Sequence, residues 1–280
     1  MSDLSDNRLV KAFDELRAEG RQTLLPFVTA GYPDVDVTLA LLQKFEAQGA
    51  RVCELGLPFS DPIADGPTIQ ASYTAALEDG LRMADIFQMV KKYRKDGGRM
   101  ALLAMGSYSI VYRHGVQTFL DEAAEAGFDG LIVPDLSLEE AESFESAAAD
   151  RGLCNVMLIA PTSRPERRLR IASHSRGFIY FISVAGVTGE RNELPQQTID
   201  AVKELRNHTD TPICVGFGIS RPDMVKTVCE VADGAIVGSA IVHRITDGLD
   251  GPVDRMVNDV GRFVGELLAP LRRNSEPSEL

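Results

Sequence analysis

The sequence predicts an α/β fold, a single (β/α)8 barrel of the TIM type with an extra N-terminal helix. Three observations carry the prediction. Eight short apolar runs recur along the 280 residues. Each is followed by a longer segment with helical periodicity. The runs are apolar almost without interruption rather than alternating, as strands covered on both faces are. Strands alternating with helices make a parallel sheet, and with eight of them closure into a barrel is favoured over a doubly wound open sheet.

Taken in order, the first element is a helix at about 7–19, ahead of any strand and placed to cap the base of the barrel. The strand-like runs then fall at roughly 23–29, 52–56, 100–105, 129–133, 154–159, 177–183, 212–216 and 233–237. Val116, Phe119, Leu120, Ala123 and Ala124 repeat at the spacing of an apolar helix face, and Met224, Val228 and Val231 do so further on. Gly127 ends one helix just before the fourth run, and Pro222 lies in the first turn of another, where its missing N–H costs little. The barrel is expected to occupy 1–272, and the polar stretch 273–280 to be a disordered tail.

Composition narrows the partners. The chain is 44% hydrophobic and 25% charged, with a formal net charge of -12. That balance disfavours nucleic acid, whose phosphates select clustered Lys and Arg. The basic runs Lys91-Lys92-Tyr93-Arg94-Lys95 and Arg164-Pro165-Glu166-Arg167-Arg168 fall in predicted helices and read as solvated outer faces. Cys53, Cys154, Cys214 and Cys229 show no metal-type spacing. Three of them sit in strand-like runs, which suggests buried, reduced thiols. No apolar run approaches the ~18 residues of a membrane span, and the first residues lack a secretory signal. A cytoplasmic protein is expected.

In a barrel, function sits on the loops after the strands. Gly216-Phe217-Gly218-Ile219-Ser220 follows the seventh run, and Gly238-Ser239-Ala240 follows the eighth at a helix start. Glycines let amide N–H groups approach an anion, and the helix terminus adds partial positive charge, so this pair of loops points to phosphate. The polar, glycine-rich segment 186–193 after the sixth run has the length of a lid.

The densest segment, Glu54 to Thr68, follows the second run. Glu54 interrupts an apolar strand, so its side chain is expected in the barrel mouth with a raised pKa, suited to moving protons. A cation beside it would instead make it a structural ion pair. Asp61 and Asp65 are open between chemistry and ordinary turn formation. All seven lysines fall in predicted helices, which argues against a Schiff base, and the four histidines form no ligand cluster, which argues against a catalytic metal. Metal-free acid–base chemistry by carboxylates on a phosphorylated substrate remains.

These residues together resemble the alpha subunit of tryptophan synthase, from about Leu24 to Val242. The most specific stretches are Glu54-Leu55-Gly56-Leu57-Pro58-Phe59-Ser60-Asp61-Pro62-Ile63-Ala64-Asp65-Gly66-Pro67-Thr68-Ile69-Gln70 and Gly186-Val187-Thr188-Gly189. The resemblance implies retro-aldol cleavage of indole-3-glycerol phosphate to indole and glyceraldehyde 3-phosphate, with Glu54 and Asp65 catalytic. It places the family's loop threonine at Thr188, phosphate contacts at Gly189, Gly218, Gly238 and Ser239, and pocket residues at Phe27, Tyr180 and Phe217. It implies no cofactor in this chain, and a beta subunit that carries pyridoxal phosphate in an alpha2-beta2 complex. That partner is expected to touch Pro58, Asp61 and Tyr108. After Met105 the chain reads Gly106-Ser107-Tyr108-Ser109-Ile110, where family members often show Tyr-x-Asn-Pro. An autonomous indole-releasing lyase, a catalytically silent binding barrel and another phosphate-binding isomerase barrel are the competing readings.

Overall fold

Eight parallel strands close on themselves in chain order, each hydrogen-bonded to the next and the eighth to the first. The computed structural model describes residues 4–62, 65–183, 194–216 and 218–272. Helix α1 (Arg8–Ala18) precedes β1 (Thr23–Thr29), α2 (Val35–Ala47) and β2 (Val52–Gly56). Two helices, α3 (Pro67–Glu78) and α4 (Met83–Lys95), lead to β3 (Ala101–Met105), and two more, α5 (Tyr108–His114) and α6 (Val116–Ala126), lead to β4 (Gly130–Ile132). Then follow α7 (Leu138–Ala149), β5 (Cys154–Ile159), α8 (Pro165–Ser173), β6 (Ile179–Ile182), α9 (Gln196–Arg206), β7 (Ile213–Gly216), α10 (Pro222–Cys229) and β8 (Gly234–Val237). Helices α11 (Ser239–Asp247) and α12 (Val253–Leu268) close the chain. The expected tail at 273–280 lies outside the described residues.

Two apolar cores explain the near-continuous strand runs. Leu25, Val52, Leu103, Ile132 and Val156 point inward and fill the lower barrel. Their neighbours Leu24, Cys53, Leu102, Leu131 and Ile159 point outward into the layer shared with the helices. Period-2 alternation therefore exists, but both faces are dry and the sequence does not display it.

Helix α1 plugs the base, as the periodicity at 7–19 suggests. Its Leu9, Phe13 and Leu16 pack against the inner cluster, with Phe13 5.7 Å from Phe178. Asn7 caps it through Leu9 N–H at 2.8 Å and donates to the carbonyls of Asp129 and Gly152, both at 2.7 Å. Asp129, 3% exposed, accepts from Arg8 at 2.8 Å, Arg94 at 2.7 Å and Leu102 N–H at 2.8 Å. Arg94 thus corrects one expectation. The 91–95 run is not wholly a solvated face, because Arg94 turns inward to pair with this carboxylate. All four cysteines are buried and free. No helix among the described residues is long and apolar enough to cross a membrane.

Candidate active site

The C-terminal ends of the strands surround a mouth of about 590 Å³, within the range of small-molecule sites. Phe27, Glu54, Asp65, Tyr180, Gly218, Gly238 and Ser239 all line it. Thr188, Gly189, Phe217 and the whole lid-length segment 186–193 lie outside the described residues, as do Ile63 and Ala64 of the loop after β2.

Glu54 is the middle residue of β2, in register with Phe27 of β1 and Leu103 of β3. Its side chain points inward and is fully buried, and among the described residues neither carboxylate oxygen has a partner. No described cation balances it, which goes against the ion-pair alternative. Burial without compensation favours the neutral acid and pushes Glu54 up to about 8. Asp65 stands just before α3, whose start is set by Gly66 at the N-cap and Pro67 in the first turn. Gln70 holds this approach by donating to the Asp65 carbonyl at 2.7 Å and the Pro62 carbonyl at 3.3 Å. Half-buried at the rim, Asp65 is raised less, to about 6, again by desolvation.

Tyr180 reaches into the mouth from β6, opposite β2 in the eight-strand order. Gly216 makes room for it, since a β-carbon there would stand 2.7 Å from the phenol oxygen. At the β7–β8 side, Gly238 caps α11 and Ser239 opens it. The amide N–H groups of the first helical positions have no intrahelical acceptor and face an anion favourably. Gly218 adopts φ +29°, a left-handed backbone that glycine takes most readily.

The apolar lining was not anticipated from the sequence. Met105, Leu158, Ile182 and Ile236 add apolar surface to the mouth, and Arg221, His243 and Arg244 line it on the β7–β8 side. His243 and Arg244 follow Ser239 by about one helical turn, a spacing that could have flagged them. Among the described residues no group of three or more His, Cys, Asp or Glu could hold a metal. All seven lysines lie in helices rather than at strand ends.

The expected partner residues separate. Pro58 lines a groove with Phe59, Ser60, Leu77, Met83, Ile110, Arg113 and His114, joining the loop after β2 to α5. Asp61 is exposed beside it, bonded to Ser60 at 2.6 Å. Tyr108 is half-buried and packs edge-on against Phe144 at 6.1 Å, and it does not line the groove. The segment after β3 begins a helix, capped by Ser107 and held by Asp135, which accepts from Ser107 Oγ and Tyr108 N–H, both at 2.7 Å.

A closed barrel whose mouth holds two carboxyls of raised pKa, an apolar lining and a helix start fits a class, the barrel lyases and isomerases of phosphorylated substrates. Comparison with known proteins resolves the class. The family model "Tryptophan synthase alpha chain" matches residues 13–267, and the chain belongs to that family. The tryptophan synthase alpha chain of Rhodopirellula baltica is 41% identical over 268 residues, covering 92% of this chain and 96% of that one. That of Chloroflexus aggregans is 45% identical over 239 residues, covering 85% and 90%. Among solved structures, tryptophan synthase of Mycobacterium tuberculosis superposes with a TM-score of 0.86 at 35% identity, over 96% of this chain and 99% of that one. The alpha subunit from Legionella pneumophila gives 0.86 at 32%, over 95% and 98%. The chain is a lyase of tryptophan biosynthesis that cleaves indole-3-glycerol phosphate.

Proposed function

We propose that Glu54 and Asp65 divide the proton transfers of this cleavage between them. The observation that carries the reading is the split in their acidities, with Glu54 near 8 and Asp65 near 6 in one mouth. At neutral pH the first is an acid and the second an anion, the arrangement that separates acid from base in carboxylate pairs. Glu54 gives its proton to C3 of the indole ring, which creates an iminium at the ring nitrogen. The Asp65 carboxylate stabilises that charge through the N–H. Glu54, now ionised, takes the proton of the glycerol hydroxyl next to the ring. The carbonyl of glyceraldehyde 3-phosphate forms, the C–C bond breaks, and its electron pair returns through the ring to nitrogen. Glu54 ends protonated as it began, so neither lysine nor metal is needed.

In the same reading, the phosphate rests on Gly218, Gly238 and Ser239, and the indole lies in the apolar slot between Phe27 and Tyr180. The groove along Pro58 takes the pyridoxal-phosphate-bearing beta subunit in an alpha2-beta2 complex. Asp65 follows Pro58 by seven residues, so one continuous segment links the docking face to the chemistry. Buried free thiols suit a reducing, cytoplasmic setting.

The test is indole release from indole-3-glycerol phosphate across pH, with and without a beta subunit. A bell between limbs near 6 and 8 is expected in kcat/KM, with loss of about 10²-fold or more in Asp65→Asn. Near-normal turnover by Asp65→Asn, or a profile flat from pH 5 to 9, refutes the division of roles.

A further inference from the structure

The loop that carries Asp65 runs from Pro58 to the start of α3, and few hydrogen bonds hold it to the barrel. Leu57, the residue before it, is buried and donates its N–H to the Met105 carbonyl at 2.7 Å. Pro58, Phe59 and Ser60 then lie along the groove shared with Leu77 and Met83. Ser60 Oγ donates to Asp61 at 2.6 Å, a bond within the loop. Among the described residues only two hydrogen bonds cross from Pro58–Asp65 to another element, and the side chain of Gln70 makes both.

The reason lies in its position. Gln70 is the fourth residue of α3, counted from Pro67. Helical side chains lean back over the preceding turn toward the N-terminus, so a long one here reaches past the helix start onto the loop. Its Nε2 donates to the Asp65 carbonyl at 2.7 Å and to the Pro62 carbonyl at 3.3 Å. A primary amide carries two N–H groups on one neutral nitrogen, one for each carbonyl, and its own oxygen could serve neither. The Gln70 backbone N–H closes the first turn by donating to the Gly66 carbonyl at 3.0 Å. One residue thus fixes the helix start and the plane of the Asp65–Gly66 peptide together. The Asp65 side chain departs from that plane into the mouth, which it lines. Gln70 is exposed and does not line the mouth. Any effect it has on the reaction passes through the loop.

We propose that Gln70 is a positioning residue of the cleavage site, whose side-chain amide clamps the Pro62 and Asp65 carbonyls to the first turn of α3 and so sets where the Asp65 carboxylate meets the indole N–H. The inference rests on the reading of Asp65 as the group that faces that N–H.

The experiment compares Gln70→Met, Asp65→Asn and the double variant in the full chain, by steady-state cleavage of indole-3-glycerol phosphate and by thermal unfolding. Methionine keeps the length and unbranched shape of glutamine and removes both donors. Gln70→Met is expected to lower kcat about tenfold or more, since a misplacement of about 1 Å at a reacting group can cost about 10²-fold. KM should change less than about threefold, because the phosphate contacts are kept. The melting temperature should hardly move, because Gln70 is exposed and the buried face of α3 is untouched. In the Asp65→Asn background the same substitution should change kcat less than about twofold, because the carboxylate it positions is already gone. A kcat within twofold of wild type for Gln70→Met, while Asp65→Asn loses cleavage, overturns this inference and leaves the division of roles standing. An equal loss in both backgrounds, or a loss that tracks a lowered melting temperature, marks a general packing role and overturns it too. Full cleavage by Asp65→Asn removes the reading of Asp65, and the role of Gln70 with it.

Discussion

Replacing Glu54 with glutamine should destroy cleavage and stabilise the protein, and the stabilisation should grow with pH. In the folded chain Glu54 keeps its proton until about pH 8, whereas its ordinary value is 4.5. Between those values the folded state binds more protons than the unfolded state, so stability falls as pH rises. The loss begins above about 4.5 and is complete above about 8. At pH 7 the interval is two and a half units, and at about 1.4 kcal/mol per unit the buried carboxyl costs up to about 3 kcal/mol. Glutamine has nearly the same shape and an equally unpartnered polar end but cannot ionise, so it escapes this cost. Urea unfolding of both proteins at pH 4.5, 7 and 8.5 should give free energies that coincide at the lowest pH and diverge toward the highest. Titration of all other groups cancels in the difference. A variant equally stable or less stable than wild type at pH 8.5 would show that Glu54 is compensated in the folded chain. The acid role assigned to it would then lose its physical basis.

Two further substitutions probe the mouth and the base separately. Gly216→Ala would place a β-carbon 2.7 Å from the Tyr180 hydroxyl and 2.9 Å from its Cε1. The displaced ring should cost about tenfold or more in kcat/KM for indole-3-glycerol phosphate, with the circular dichroism spectrum unchanged. At the other end, Asp129→Asn leaves Arg94, only 14% exposed, without its carboxylate. It should lower stability by about 3 kcal/mol in thermal or urea unfolding while kcat stays within twofold at a temperature where both proteins are folded.

Strands were legible because the barrel covers both their faces. The runs at 23–29, 52–56 and 154–159 coincide with β1, β2 and β5 residue for residue. The run at 177–183 is longer than β6 because Phe178 is apolar for a different reason, its packing on α1. The paired helices were harder to separate, since α5 and α6 are divided only by Gly115 at φ +91° within one amphipathic stretch. Glu54 stood out because a carboxylate in an apolar run has few bland explanations. Dry strands gave no such contrast for Leu158 and Ile236, which face the mouth although their sequence neighbours are equally apolar.

The distribution of charge around the mouth suits the division of roles proposed for the two carboxyls. A cation beside Glu54 would ionise it and remove the acid proposed to start the reaction, so that carboxyl belongs in an apolar wall. The substrate nevertheless brings a phosphate, which repels Asp65 and cannot be held in such a wall. The barrel meets both conditions by separation. Glu54 and Asp65 lie on or just after β2, whereas Gly218, Gly238, Ser239, Arg221, His243 and Arg244 gather at the ends of β7 and β8. An anion bound there gains from amide N–H groups and the start of α11 without neutralising either carboxyl. Burial of the carboxyl with no compensating partner among the described residues is what raises Glu54 to about 8. In the proposed mechanism phosphate binding and acid strength are thus set independently, by different strands. A substitution at Ser239 or Gly238 should therefore act on the affinity for the substrate's phosphate, and one at Glu54 on the proton delivered to the ring.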